Sequence, residues 1–413
     1  MALSSNGNFV KLATALGVSS VGDGVRIVAL PLLGAAFTDN PFSISLLVVA
    51  NRLPWILFTL TSGFIADRYS RKHLMVGVDV VRGVLVAGFA VAIVFHLNSI
   101  LVIGLVAFCL GVGETVFSTA NQGMLPDVVG KQDLGTANGT LFTLQSVASN
   151  FLGPSLGGVL FSVARWVPFL IDAVSFFTAA TLVSRIRSSG GTSASPGRMM
   201  DAIREGLAWC WTRHVIVALL SVMAVMNFAQ SAIGSVLVLY VTDDLGLDSS
   251  VYGMIIAVAG VGAVLGGVMG PVVERRFGFE AVFRLAVVAA IPILTVMAVV
   301  RSPWVLACAL FLNSFVGLLV SVMVATIRQR VVPSALAGRV ASVQAFAAMG
   351  LALPLGALAG GLVASAFGLR SVFIFSLIVC CLLSVLTVHV LSPKRLATDL
   401  ALLGDDDPRD DRT

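Results

Sequence analysis

The stretch Gly63-Phe-Ile-Ala-Asp67-Arg68-Tyr-Ser-Arg71-Lys72 decides the fold, because a related stretch, Gly270-Pro-Val-Val-Glu274-Arg275, follows about half a chain length later. The same shift carries Gln122 onto Gln329. A pattern that recurs at a fixed distance indicates that one structural unit occurs twice in the chain. We therefore predict two similar halves in the same orientation.

The sequence around these motifs is too apolar for a soluble protein. Of the 413 residues, 58% are hydrophobic and 11% are charged, and the mean hydropathy is +1.00. Soluble domains carry about 25% charged residues, because a globule in water must cover its surface with polar groups. These figures exclude a soluble enzyme and predict an all-α integral membrane protein whose main partner is the lipid bilayer.

Apolar runs define the predicted membrane spans. A helix that crosses a bilayer needs about 20 mostly apolar residues, and the sequence predicts twelve such helices. They lie at roughly 10–37, 41–65, 73–95, 99–121, 136–161, 166–186, 214–241, 249–273, 280–300, 303–325, 340–366 and 370–392.

The basic residues predict the orientation of these spans. Cytoplasmic loops keep Lys and Arg during insertion, and most of the 26 basic residues fall in the loops of one side. That side is then cytoplasmic and carries both termini, in a multi-pass protein of the plasma or inner membrane. Charges spread over short loops form no nucleic-acid groove, so we expect no nucleic-acid partner. The exceptions are Arg26, Arg52 and Arg82 within spans and Arg165, Arg301 and Arg370 in loops of the other side.

A polar linker divides the chain. Residues 187–197 are mainly Gly and Ser, a composition typical of a flexible connection. We predict a six-helix bundle at 1–186, a cytoplasmic linker with an amphipathic helix at 187–213, a second six-helix bundle at 214–392, and an acidic cytoplasmic tail at 393–413.

Span number, division into halves, linker position and the duplicated motif together resemble the major facilitator superfamily over the whole chain. The resemblance implies two pseudo-symmetric bundles and a cytoplasmic latch between them. The alternative is that the basic residues of the first motif only fix topology. Ser70 departs from the glycine usual in that family. The implied latch residues are Gly63, Asp67, Arg68, Arg71, Gly270, Glu274 and Arg275.

A second motif, Gly153-Pro154-Ser-Leu-Gly157-Gly158, resembles one associated with exporters of the superfamily. Proline removes one helical hydrogen bond and glycine permits close packing, so plain helix packing is the alternative. The stretches Gly22-Asp23-Gly24, Leu53-Pro54-Trp55 and Pro168-Phe-Leu-Ile-Asp172-Ala173 are similar to the branch of siderophore and macrolide exporters. That likeness implies efflux of bulky amphiphilic molecules, such as drugs, antibiotics or siderophore-like compounds.

Charged residues inside the spans are the candidates for a role in the mechanism. A charge at mid-span costs roughly 2.5 to 3.5 kcal/mol on insertion scales, so such residues are functional candidates. We expect Glu114, and after it Asp23, to carry the proton in coupling, and we expect Arg26 and Arg52 to set the proton affinity of these carboxylates. The alternative for each residue is a static ion pair. Glu114 stands where a drug–proton antiporter of the superfamily would have an arginine-containing motif.

Three further charged residues are interpreted as structural. Asp79 and Arg82, three residues apart, are expected to form a local ion pair that anchors the third helix. Asp172 is expected to be a hydrogen-bonding residue near the outer interface.

The second half offers neutral polar and aromatic groups, which we interpret as substrate contacts. Asn227 and Gln230 are expected to orient an amphiphile, and Phe228, Phe315 and Phe346 to supply apolar walls; mere helix packing is the alternative for each.

Other classes of protein fit less well. A phosphate-cradling loop is absent from the sequence, the four histidines are far apart, and the five cysteines have no metal-ligand spacing. We therefore predict a secondary transporter that acts as a monomer, is not an enzyme, and uses no cofactor or metal. An importer or facilitator of a small nutrient is the main alternative, and a receptor or channel is a more remote one.

Overall fold

The computed structural model describes residues 3, 6–130, 132–187, 210–211, 214–332, 340, 343–344 and 346–390. All regular secondary structure in this part of the chain is helical, which confirms the predicted helical class. The predicted amphipathic helix of the linker falls almost wholly outside the described residues. The acidic tail falls wholly outside them.

The first six helices alternate in direction along 7–184. Asn6, Asn40 and Ser99 cap helices with side-chain oxygens that accept backbone N–H groups, which explains where those helices begin. The helices are α1 (Gly7–Ala35), α2 (Pro41–Arg68), α3 (Arg71–Val94), α4 (Ile100–Val128), α5 (Leu134–Val163) and α6 (Val167–Ser184).

The later helices repeat this arrangement along 214–390. Of all the described helices, ten are long and apolar enough to cross a membrane, and α9 and α12 contain shorter apolar stretches. The helices are α7 (His214–Leu239, followed by a π-helical turn), α8 (Ser249–Phe277), α9 (Phe279–Val299), α10 (Pro303–Val331), α11 (Phe346–Phe367) and α12 (Ser371–Val390).

Two helices change pitch next to a proline. A π-helical segment at Ala148–Leu152 precedes Pro154 in α5, and another at Phe346–Leu351 precedes Pro354 in α11. Proline has no N–H to donate to the carbonyl four residues earlier, and a π-bulge is one way for a helix to accommodate that loss. The two positions correspond in the duplicated pattern.

The two ends of the bundle differ. We call the end with the loop at residues 69–70 the motif face and the end with the loops at 36–40, 95–99, 164–166, 245–248, 300–302 and 368–370 the opposite face. At the opposite face an apolar cluster joins the halves, since Val28 and Leu32 of α1 and Ile44 of α2 pack with Leu237 and Ile255 of the second half. Contact between the halves also runs along α5 with α8 and α2 with α11.

Candidate functional site

A buried group of charged side chains joins α1, α3 and α6. Asp23 accepts hydrogen bonds from Arg26, three residues further along α1, and from Arg82 Nη2 of α3 at 2.9 Å. Arg26 also donates from Nε to Asp172 Oδ2 of α6 at 2.9 Å. Asp23 is therefore the point at which two guanidinium groups meet.

The structure confirms two expected contacts here and adds to both. Arg82 does lie near Asp79, with 3.7 Å between Nη1 and Oδ1, but its shorter contact is to Asp23 on another helix, so the pair is not self-contained. Asp172 forms the expected hydrogen bond, and it is fully buried against Arg26 of α1. Both residues belong to one network that their spacing in the sequence could not reveal.

Small residues make room for this network. A Cβ built on Gly22 would lie 2.6 Å from Asp172 Oδ1, and one on Gly113 would lie 2.8 Å from Arg82 Cδ. A Cβ at either position would force the Asp172 or Arg82 side chain to shift, so glycine lets α1 approach α6 and α4 approach α3 without disturbing the network. Phe176 also contacts the network. The Arg82 guanidinium lies 4.0 Å from the centre of the Phe176 ring, which is a cation–π contact.

The network has one more acid than base. Three carboxylates face two guanidinium groups, and neither side-chain oxygen of Asp79 accepts a hydrogen bond from a described residue. Buried charges are costly unless they are paired and hydrogen-bonded. Asp23 is the exception to deep burial, with 27% of its side chain exposed, so water can reach this carboxylate from the neighbouring cavity.

A cavity of about 540 Å³ borders the network, and its walls come from the first half. Asn138 and Phe142 of α5 are exposed along it, toward the motif face. The four residues predicted to act in coupling, Asp23, Arg26, Arg52 and Glu114, all line this cavity. Among the polar side chains that accompany them are Ser118, Asn121, Gln122, Gln145 and Asn150.

The second half contains a smaller, neutral cavity of about 230 Å³. Asn227 and Gln230 line it, together with Asn313 of α10, whose Nδ2 donates to Gln230 Oε1 at 2.6 Å. Asn313 was visible in the sequence as a polar residue within a span, but its partner was not.

The structure does not bring the three predicted aromatic residues to the walls of either cavity. Phe228 packs on Phe375, with ring centres 6.1 Å apart, and Phe315 packs beside the cluster of Val282, Leu319 and Met323. Phe346 is exposed at the start of α11.

The latch motif makes contacts inside the first half. Arg71 Nη1 donates to Gly123 O at 2.8 Å and to Asp127 Oδ2 at 2.9 Å, which joins the start of α3 to the end of α4. Arg68 and Arg275 are exposed, whereas Gly270 is buried and Glu274 half-buried. The backbone of Gly63 and Asp67 lies in α2, and the side chain of Asp67 lies outside the described part.

The glycines of the exporter-type motif lie where helices cross. A Cβ on Gly153 would meet Gly24 Cα at 2.5 Å, and one on Gly157 would meet Val25 O at 2.7 Å. Gly158 faces the second half, where a Cβ would lie 2.9 Å from Gly253 Cα of α8. Pro154 is buried at the same crossing. Within the described residues we find no group of three or more His, Cys, Asp or Glu placed to hold a metal.

Comparisons with known proteins agree with this architecture. A family profile described as transmembrane secretion effector matches residues 2–403. The multidrug efflux pump Tap of Mycolicibacterium fortuitum is 26% identical over 398 residues, covering 93% of this chain and 95% of that protein. The multidrug resistance protein MdtG of Dickeya zeae is 27% identical over 328 residues, covering 76% of this chain and 75% of that protein.

Solved structures resemble the chain in fold. The nucleoside transporter NupG aligns with a TM-score of 0.75 at 11% identity, over 95% of this chain and all of that one. A bacterial homologue of the iron transporter ferroportin, in an inward-facing state, aligns with a TM-score of 0.70 at 18% identity over the same shares.

Proposed function

Because the chain belongs to the transmembrane secretion effector family within the major facilitator superfamily, we propose that it exports bulky amphiphilic small molecules by proton-coupled alternating access. The full-length similarity to a multidrug efflux pump supports the direction of transport. The observation that carries the proposal is the charged cavity, which is exposed along the motif face while the halves are packed together at the opposite face.

The proposed architecture has twelve spans in two bundles, at 1–186 and 214–392, with both termini and the motif face in the cytoplasm. The positions of the basic residues support this orientation. In that frame the structure corresponds to an inward-open state, which can receive a substrate from the cytoplasm. Rocking of the halves would then expose the cavity to the outside.

Proton coupling is assigned to Glu114 and Asp23. Asp23 is the water-accessible member of the network and holds both Arg26 and Arg82. A proton on Asp23 would remove the negative charge that these two guanidinium groups share, and so would loosen α1 from α3. Glu114 lines the same cavity and Arg52 adds positive charge there. Coupling then works through protonation, which weakens the ion pairs that hold α1 when the substrate leaves.

Substrate contact is assigned to both halves. The first-half cavity supplies charge, and the second-half cavity supplies the neutral amides of Asn227, Gln230 and Asn313. Phe228, Phe315 and Phe346 are kept as proposed apolar contacts in states in which the halves have moved. A single copy of the chain contains all of these groups, so a monomer suffices.

Transport in proteoliposomes with an imposed pH gradient tests the proposal. The purified chain is reconstituted and assayed with fluorescent cationic and neutral amphiphiles. Wild type is compared with Glu114→Gln, Asp23→Asn and the control Asp39→Asn, an exposed acid of the opposite-face loop that lies outside the cavity.

We expect a pH gradient to accelerate wild type and the control, and to have little effect on the two cavity variants. A transport rate that does not depend on the pH gradient in any of the four proteins would refute proton coupling. Movement of substrate toward the motif face, driven by protons moving the same way, would favour the alternative of an importer.

A further inference from the structure

A crevice at the opposite face lies apart from the transport cavity. It has a volume of about 400 Å³ and is formed entirely by the first half. Phe37 comes from the end of α1, Ile93 from the end of α3, and Arg165 and Trp166 from the loop between α5 and α6. The ends of α1 and α3 and the α5–α6 loop therefore converge on one pocket, which shares no lining residue with the charged cavity.

The crevice carries an uncompensated positive charge. Arg165 is exposed and forms no ion pair with any described residue. By contrast, Arg370 on the same face is bound to Asp244, with 2.8 Å between Nη2 and Oδ2. None of the described residues that line the crevice is acidic. An anion could therefore enter without meeting a carboxylate.

His96 adds a side chain at a backbone position that favours glycine. The end of α3 closes with Leu97 N donating to Ala92 O at 2.9 Å and His96 N donating to Ile93 O at 3.1 Å, the pattern of a Schellman motif. His96 has a φ of 56° and is the only non-glycine with a positive φ among the described residues. The imidazole and the amide of Asn98 line the crevice, so both offer N–H donors beside Arg165.

Apolar side chains surround these polar groups. Phe95 and Leu97 are 69% and 72% exposed, and Trp166 and Val94 are also exposed. Trp is one of the residue types enriched at the level at which lipid headgroups meet acyl chains, so Trp166 is typical of that level. A free anion in water would gain nothing from such a rim, whereas a molecule with an anionic head and apolar tails would contact both parts.

We propose that this crevice binds the anionic headgroup of a membrane phospholipid in the leaflet at the opposite face. Arg165 binds the phosphate, His96 and Asn98 donate hydrogen bonds to the headgroup, and the acyl chains lie along the exposed apolar rim. Guanidinium groups form strong, geometrically specific hydrogen bonds with phosphate. The lipid would tie together the ends of α1, α3 and the α5–α6 loop.

Native mass spectrometry of the purified chain tests this site. The probes are dioleoyl phosphatidylglycerol, dioleoyl phosphatidylcholine as the zwitterionic comparison, and glycerol 3-phosphate as the headgroup without tails. The variants are Arg165→Gln, Arg165→Lys and the control Arg301→Gln, which removes an exposed basic residue from the same face outside the crevice. His96→Gly removes a donor while placing the favoured residue at the positive φ, so it separates binding from folding.

We expect wild type and Arg301→Gln to retain phosphatidylglycerol in preference to phosphatidylcholine. Arg165→Gln should weaken that retention roughly tenfold, Arg165→Lys should restore part of it, and His96→Gly should weaken it without lowering thermal stability. Equal retention in Arg165→Gln and wild type, or an equal loss in Arg301→Gln, would overturn the proposal. Displacement of the lipid by an equal concentration of glycerol 3-phosphate would also overturn it, because the site would then bind a free phosphate ester.

Discussion

Arg26 Nε lies 2.9 Å from Asp172 Oδ2, and this contact fastens α1 to α6 in the interior of the first half. Both side chains are almost completely buried. Arg26 also donates to Asp23 on the same helix, so one guanidinium group bridges two carboxylates. The contact makes Asp172 part of the machinery that positions Asp23.

Removing the Asp172 charge should therefore destabilise the protein. Hydrogen bonds to charged groups contribute about 1.5–3 kcal/mol, so Asp172→Asn, which leaves Asp23 as the only carboxylate bound to Arg26, should lower the free energy of unfolding by up to about that amount. Titration of the purified protein with denaturing detergent measures the change. Asp244→Asn is the control, because it breaks an ion pair whose side chains are each about one-third exposed, and such pairs contribute about 0–1 kcal/mol. Equal losses in the two variants would contradict the assignment of Asp172.

A methyl group at Gly253 should disturb the contact between the halves. A Cβ there would lie 2.8 Å from Gly158 Cα and from Pro154 O, so α8 would have to move away from α5. Overpacking of this kind costs about 1–3 kcal/mol. Gly253→Ala should slow transport and lengthen the distance between spin labels at Thr38 and Ser365. In Gly88→Ala the new Cβ would have no neighbour within 4 Å, and this variant should transport normally.

The contact between Arg71 and Asp127 should contribute little to stability. Its side chains are 18% and 25% exposed, so we expect a coupling energy of at most about 1 kcal/mol, as for other exposed pairs. A double-mutant cycle with Arg71→Gln and Asp127→Asn measures this energy from unfolding. A larger coupling energy would show that the loop after α2 is held more firmly than its exposure implies.

The orientation of the chain can be tested by labelling. Tyr69 at the motif face is 58% exposed and Val163 near the opposite face is 74% exposed. In a background without native cysteines, Val163→Cys should react with a membrane-impermeant maleimide in intact cells. Tyr69→Cys should react only after the cells are permeabilised. The reverse pattern would place the motif face outside and contradict the proposed cytoplasmic termini.

Much of the fold followed from local features of the sequence. Apolar runs locate the helices, because length and hydropathy are properties of each segment alone. The proline of the exporter-type motif marks the region in which α5 changes pitch, for the same local reason. Asp23, Arg26, Arg52 and Glu114, which we propose for coupling, were found as rare charges within apolar runs, and the structure gathers them along one cavity.

The pairing of those charges was not predictable. Asp172 lies 146 residues from Arg26, and which face of α6 meets α1 depends on packing between helices that are distant in sequence. Gly22 and Gly113 could have hinted at close approach, but glycine is common in membrane helices. The second-half pair of Gln230 and Asn313 escaped prediction for the same reason, since each residue is an isolated polar group until α7 and α10 are placed together.

The contact at the opposite face has few directional interactions. Its side-chain hydrogen bonds, from Ser249 to Gly158 and from Ser365 to Asn40, are long at 3.5 and 3.4 Å, and no ion pair between described residues crosses it. Separation of the halves there replaces protein packing with lipid and water without breaking a charged contact. The rate of opening should therefore be nearly independent of ionic strength, and should respond instead to the lateral pressure of the bilayer and to hydrostatic pressure.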